Sequence, residues 1–352
     1  MFIVSNYAVA IIFCVITMLC WGSWGNTQKL AGKTWRYELF YWDYVIGVLL
    51  LSLIFAFTLG SIGENGRGFI EDLRQADIKN IGSAFLGGII FNAANILLST
   101  AIAIAGMAVA FPVGIGLALV LGVIINYLGS QKGDPFFLFL GVSLITLAII
   151  INALAYKKAS GGNKEETEVI REAGGRNKRH GAWSMGHRGV LVSILAGLLM
   201  SFFYRFVAAS MDLDNFVTPA AGMMTPYTAM VVFAVGIFIS NFLFNTILMK
   251  KPISGEPTNY SAWFKGKFPI HLVGVLGGII WGIGNSFNLI AAGKAGAAIS
   301  YGLGQGATLV AALWGVFIWK EFKGSPKGTN GMLFLMFVLF VLGLISIIHA
   351  GQ

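Results

Sequence analysis

Side chains able to read a neutral polar molecule recur inside otherwise apolar stretches of this sequence. Asn92 and Asn95 are three residues apart, which places both on one face of a helix, and Asn285 and Asn288 repeat that spacing. An amide offers donors and an acceptor together, so four amides from paired helices suit a small solute rich in carbonyl and N–H groups. Gln305 is a further candidate. Trp21, Trp24, Phe111, Trp281 and Tyr301 fall at related depths and supply rings on which a flat heterocycle can stack. Trp281, flanked by Gly278, Gly282 and Gly284, has room to face a cavity. The same residue types also have purely structural uses. Amides hold helices together in lipid, and Trp anchors helices at membrane boundaries.

Charge inside the apolar stretches is scarce. Glu38 and Asp43 open the second stretch, and Arg205 closes the sixth. Asp43 is the candidate to take up a proton in one state and release it in another, with Glu38 second. Arg205 is expected as a fixed positive charge in an outer vestibule, facing Asp212 or Asp214. Other chemistry is not supported. The histidines at 180, 187, 271 and 349 show no ligand spacing with one another or with carboxylates, so no metal is expected. Gly302-x-Gly304-x-Gly306 has no preceding strand and no Lys, unlike a phosphate loop. There is no paired-acid, nucleophile–base or metal constellation, so neither an enzyme nor a cofactor is expected.

The elements that must position these residues follow from composition. Of 352 residues, 57% are hydrophobic and 11% are charged, against roughly 25% charged in a soluble domain. That excludes a water-soluble enzyme and implies an integral membrane protein in contact with lipid. Windows of about 20 apolar residues, the length that crosses a bilayer, give ten spans: 7–26, 38–60, 81–104, 106–128, 135–156, 188–209, 220–249, 268–292, 295–319 and 330–350. The first lacks the basic start and cleavage pattern of a signal peptide. Cys14 and Cys20 lie together in it, on different sides of a helix, and read as buried thiols. Residues 157–187 form a hydrophilic linker rich in Lys, Glu and Arg.

Connections after odd-numbered spans carry eighteen of the 24 Lys and Arg, and the opposite connections carry five. Basic connections stay cytoplasmic, so the linker is expected in the cytoplasm of a cell (inner) membrane protein with both termini outward. The net charge of +9 is thus a topology signal, and no nucleic-acid partner is expected.

The sequence also matches itself at an offset of 190 (86 to 276). Leu86-Gly87-Gly88-Ile89-Ile90 recurs as Leu276-Gly277-Gly278-Ile279-Ile280, and Asn95, Ala105-Gly106, Gly114 and Gly116 meet Asn285, Ala295-Gly296, Gly304 and Gly306. The expected fold is therefore all-α, with ten transmembrane helices as two five-helix repeats, 1–156 and 188–352. Five is odd, so the second repeat enters the membrane inverted. Inverted repeats are an architecture of secondary transporters, with the site where the halves meet.

Ten helices in a five-plus-five inverted arrangement resemble the drug/metabolite transporter superfamily. Within it, Cys20-Trp21-Gly22-Ser23-Trp24-Gly25-Asn26, the run from Trp35 to Tyr44, and Phe111-Pro112-Val113-Gly114 resemble the ureide permease-like branch. The resemblance implies proton-coupled uptake of small polar heterocycles such as allantoin or nucleobases. Plant members carry a nucleotide-binding-like motif in the central loop, and no G-x-x-x-x-G-K-[ST] occurs here. A neighbouring branch that moves sugars has a similar layout.

The expected function is secondary active transport of a small neutral polar metabolite, driven by protons through alternating access. A sugar or drug carrier is the alternative, and a channel or non-transport membrane module stands behind both. The expected partners are the solute, protons and lipid, with a homodimer left open.

Overall fold

The computed structural model describes residues 1–31, 35–105, 110–161, 179–252 and 256–352, and side chains at 103–105, 111–112, 160–161 and 179–187 lie outside that description. Among the described residues ten helices are long and apolar enough to cross a membrane: α1 Tyr7–Ala31, α2 Tyr37–Phe57, α3 Ile78–Ile102, α4 Val113–Ser130, α5 Pro135–Ala159, α6 Arg188–Ala208, α7 Pro226–Lys250, α8 Phe268–Ala295, α9 Ala297–Ile318 and α10 Thr329–His349. The protein is all-helical among those residues, as expected for chains that must satisfy every backbone group inside lipid.

Local signals set the ends. Asn6 caps α1 by accepting from Val9 N at 3.0 Å, and Thr225 precedes Pro226 at the start of α7, where a proline costs no hydrogen bond. The seventh span was expected from 220. It begins at Pro226 because the preceding residues are engaged elsewhere: Met224 N bonds Ser210 O and Thr225 N bonds Asp72. Gly296 separates α8 from α9 with φ +84°, a conformation that side-chain-bearing residues rarely adopt. Helix Pro135–Gly161 runs past α5 into the expected linker, and helix Arg179–Ala208 starts within it before α6. Residues 162–178 lie outside the described residues.

The principal helix pairings are α3 with α6 and α7, α8 with α1 and α2, α4 with α6 and α9, α1 with α9, α2 with α7, and α5 with α10. Advancing every helix number by five returns this same set, which agrees with a five-helix repeat.

Glycines make the closest of these approaches. A Cβ on Gly278 of α8 would overlap the carbonyl oxygen of Tyr44 on α2, and one on Gly47 would overlap that of Val275 on α8. The counterpart crossing is between α3 and α7, where Gly88 faces Phe233 O and Gly236 faces Phe85 O. Between α5 and α10 the pair is reciprocal. A Cβ on Gly141 would press on Gly343 O, and one on Gly343 would press on Gly141 O.

Candidate functional site

The helices surround a cavity of about 370 Å³, within the range of small-molecule sites. Its deep wall is aromatic. Trp21 of α1 lies parallel to Trp281 of α8 at 6.0 Å between ring centres, Phe91 of α3 is 4.6 Å from Trp281, and Phe203 of α6 is 5.1 Å from Phe91. Polar groups are few. Asn95 donates from Nδ2 to Tyr41 OH at 3.1 Å, and its Oδ1 has no protein partner among the described residues. The amide of Gln305, 8% exposed, is likewise unbonded there. Gln28, Thr308 and Ser99 add to the polar lining, and Ser99 donates to Tyr37 OH at 2.8 Å.

The cavity opens where α1, α3, α5 and α9 end and α2 begins. The only charges on its lining among the described residues, Lys29 and Glu321, pair at 2.8 Å in this mouth. Tyr156 of α5 donates to the other Glu321 oxygen at 2.7 Å. Trp319 donates to Asn26 Oδ1 at 2.7 Å, Trp314 donates to Ser23 Oγ at 2.9 Å, and Lys29 Nζ lies 4.6 Å over the Trp319 ring. The mouth therefore joins α1, α5 and the end of α9 through polar contacts that a modest movement can break.

The opposite side is tied shut. Arg67, in the α2–α3 connection, pairs with Asp72 at 2.9 Å and donates to Pro219 O and Met223 O of the α6–α7 connection at 2.9 and 2.6 Å. The second oxygen of Asp72 accepts from Thr225 N at 2.8 Å, and Gln75 is bonded to both Gly222 N and Met223 O.

Of the residues singled out in the sequence, Trp21, Trp24, Asn95, Trp281 and Gln305 line the cavity. The four amides do not converge on it. Asn92 is fully buried and saturated, accepting from Tyr41 OH at 2.9 Å and donating to Ser240 Oγ at 2.9 Å. Asn285 donates to Met230 Sδ at 3.0 Å, and Asn288 donates to Ser300 O at 2.7 Å. Both keep a buried Oδ1 without a partner. Tyr301 is buried behind the cavity, with its hydroxyl on Ala118 O and Met200 O at 3.1 and 3.3 Å. The side chain of Phe111 lies outside the described residues.

The charged candidates are also engaged elsewhere. Glu38 is paired with Arg36 at 2.8 Å. Asp43 is 1% exposed and faces α8 instead of the cavity, accepting from Trp35, Trp263 and His271. Arg205 is half-buried against Gly129 of α4. Asp212 accepts from Ala220 N and Asp214 sits 3.8 Å from Lys132, so neither is its ion-pair partner among the described residues. Sequence reasoning missed Tyr37, Phe91, Tyr156, Phe203, Lys29, Glu321 and His271. Lys29 and Glu321 are 292 residues apart, and no local spacing signals that pair.

A family profile described as Ureide permease matches residues 40–185 and 184–350. Ureide permease 2 of Arabidopsis thaliana is 25% identical, with 97% of this chain and 96% of the relative covered. Ureide permease 1 of the same plant is 24% identical with the same coverage. A Streptococcus pyogenes protein named for sugar uptake is 23% identical over 95% of this chain and 96% of its own length. A solved crystal structure superposes with TM-score 0.58 at 15% identity, covering 97% of this chain and 96% of that one. This last likeness is one of fold alone.

Proposed function

The chain belongs to the ureide permease family and is an integral membrane transporter of small metabolites, and from that premise we propose a secondary active carrier for a neutral, flat, polar solute of the ureide or nucleobase kind. One observation carries the reading. The deep wall of the cavity is aromatic, its free hydrogen-bonding groups among the described residues include Asn95 Oδ1, the amides of Gln28 and Gln305 and the indole N–H of Trp21, and the two charges on that lining neutralise each other at the mouth. A stacked ring satisfies the aromatic wall, and a solute with adjacent C=O and N–H groups satisfies an amide on both sides. An anion or a cation finds no unpaired counter-charge on the lining among the described residues.

The proposed mechanism is alternating access between two inverted five-helix halves, 1–156 and 188–352, in the manner of the drug/metabolite transporter superfamily. The repeat offset, the set of helix pairings that is unchanged when every number advances by five, and the matched glycine crossings support it. The cavity mouth lies on the side bearing the basic connections. On the proposed orientation in the cell membrane this is the cytoplasm, and the tied side holding the termini faces outward. Asn285 and Asn288, with their unpartnered oxygens on the closed side, are proposed to meet the solute when that side opens. Uptake is proposed to be driven by protons.

Purified protein in proteoliposomes tests this. Labelled allantoin or uracil should accumulate when the proton gradient points inward, and accumulation should collapse with a protonophore. A second reading, sugar transport, is favoured by the Streptococcus pyogenes relative and by the ability of Trp rings to stack on sugars. Competition separates the two: hexoses that displace the label better than nucleobases would establish the sugar reading and remove the first.

A further inference from the structure

The most heavily engaged ionisable group in the membrane stands apart from the cavity. Asp43 Oδ2 accepts from Trp35 Nε1 at 3.0 Å, and Oδ1 accepts from Trp263 Nε1 at 2.8 Å and meets His271 Nδ1 at 2.7 Å. Three segments supply these groups. Trp35 lies just before α2, Trp263 is in the short helix Tyr260–Phe264 before α8, and His271 is in the first turn of α8. Gly274 makes the space, since a Cβ there would overlap Asp43 Cβ.

An indole N–H can only donate. Both tryptophans therefore present donors, and the Asp43 oxygens accept from them. The imidazole has a different freedom. With Nδ1–H given to Asp43, Nε2 can gain or lose a proton without breaking any of the three bonds. The His271 side chain is 18% exposed against 1% for Asp43, so a proton from water can reach it. Both indole rings pack edge-to-face with the imidazole, at 5.0 Å for Trp35 and 4.8 Å for Trp263.

We propose that His271 carries the coupling proton and that Asp43 is its positioning residue. This deepens the proton-driven reading above and rests on it. Protonation at Nε2 turns the hydrogen bond from a neutral imidazole to the Asp43 carboxylate into an ion pair and tightens the junction of α2 with α8; release to water loosens it. The same two helices build the cavity, because α8 carries Trp281 and α2 carries Tyr41, the partner of Asn95. The proton state of His271 is thereby passed to both walls. The other charges near this junction among the described residues are Arg36 and Glu38, which pair with each other, and Glu256, Lys265 and Lys267 in the connection before α8. Within α8 the next charged residue is Lys294.

Isotope-labelled histidine in the full chain, in lipid nanodiscs, gives the first test by magnetic resonance. His271, assigned by its loss in His271→Gln, should show the Nδ1–H neutral tautomer at alkaline pH and take up a proton on acidification. Asp43→Asn should shift its midpoint, because it removes the group in contact with Nδ1, and leave the other histidines unmoved. In proteoliposomes, His271→Gln and His271→Asn should retain counterflow exchange of labelled allantoin or uracil and lose accumulation driven by the proton gradient. Absence of titration between about pH 5 and 9, a midpoint indifferent to Asp43→Asn, or gradient-driven accumulation kept by both His271 variants overturns the proposal. If the unmodified protein accumulates neither solute in response to the gradient, the proton-driven reading fails first and this inference falls with it. Loss of counterflow in both variants, with the thermal melt unchanged, assigns His271 a general transport role and also overturns it.

Discussion

Gly278 of α8 and Gly47 of α2 meet main chain to main chain, each standing where a methyl group would collide with the other helix. Gly88 of α3 and Gly236 of α7 do the same at the counterpart crossing. Gly82, two turns from Gly88 on α3, has open space around its Cβ position. Gly278→Ala and Gly88→Ala should therefore each cost about 1–3 kcal/mol, the usual penalty for forcing extra volume into a packed contact. Gly82→Ala should be neutral or slightly stabilising, since Ala is the better helix former. Thermal melts of the three variants in detergent check the contrast; equal melting temperatures would remove the close-packed crossings as a source of stability.

The cavity amides should report on solute binding. Losing one hydrogen bond to an uncharged group costs about 1 kcal/mol, so Asn95→Ala and Gln305→Ala should each raise KM for uptake by about five- to tenfold. Trp281→Ala should be more damaging than either, and Trp281→Phe should recover much of the loss by keeping a ring. Initial rates over a range of solute concentration provide the measurement.

At the mouth, the Lys29–Glu321 pair is half exposed on the lysine side and 30% exposed on the glutamate side. Exposed pairs are worth at most about 1 kcal/mol. Lys29→Glu or Glu321→Lys alone should change the uptake rate by about two- to fivefold through repulsion across the opening. The double exchange should return the rate toward that of the unmodified protein. A double exchange no better than either single change would mean that the pair does not act as a unit.

The Arg67–Asp72 pair on the tied side contrasts with this, because the Asp72 side chain is wholly buried. Removing the guanidinium leaves an unpaired buried charge, at a cost of about 3–5 kcal/mol. Arg67→Ala should lower the melting temperature far more than Asp72→Asn, whose amide oxygen can still accept from Thr225 N. The order of the two melting temperatures decides it.

The helices were legible because lipid demands long apolar runs, and eight of the ten expected starts lie within about three residues of the observed ones. The fourth span, expected from 106, is described as α4 from Val113, with 106–109 outside the described residues, and the seventh, expected from 220, begins at Pro226 because the backbone of Met223 and Met224 is engaged across the tied connection. The site was legible in part. Trp21, Trp24, Asn95, Trp281 and Gln305 line the cavity, but residues three apart on a helix diverge by about 60°, and a helix in a bundle has several neighbours. Asn92 therefore turns to α7 while Asn95 borders the cavity. The partner of Asp43 could not be read locally, since His271 lies 228 residues away. Those two come together only because Gly274 lets α8 lie against α2.

The mutual contact of Gly141 and Gly343 has a separate bearing on movement. Like the α2–α7 and α4–α9 pairings it corresponds to itself, so the proposed exchange of roles between the two halves would leave α5 and α10 in the same relation before and after. That pair can serve as a spindle about which the remaining helices tilt. A rigid tether between α5 and α10 should leave turnover intact, whereas the same tether placed between α1 and α9 should arrest it.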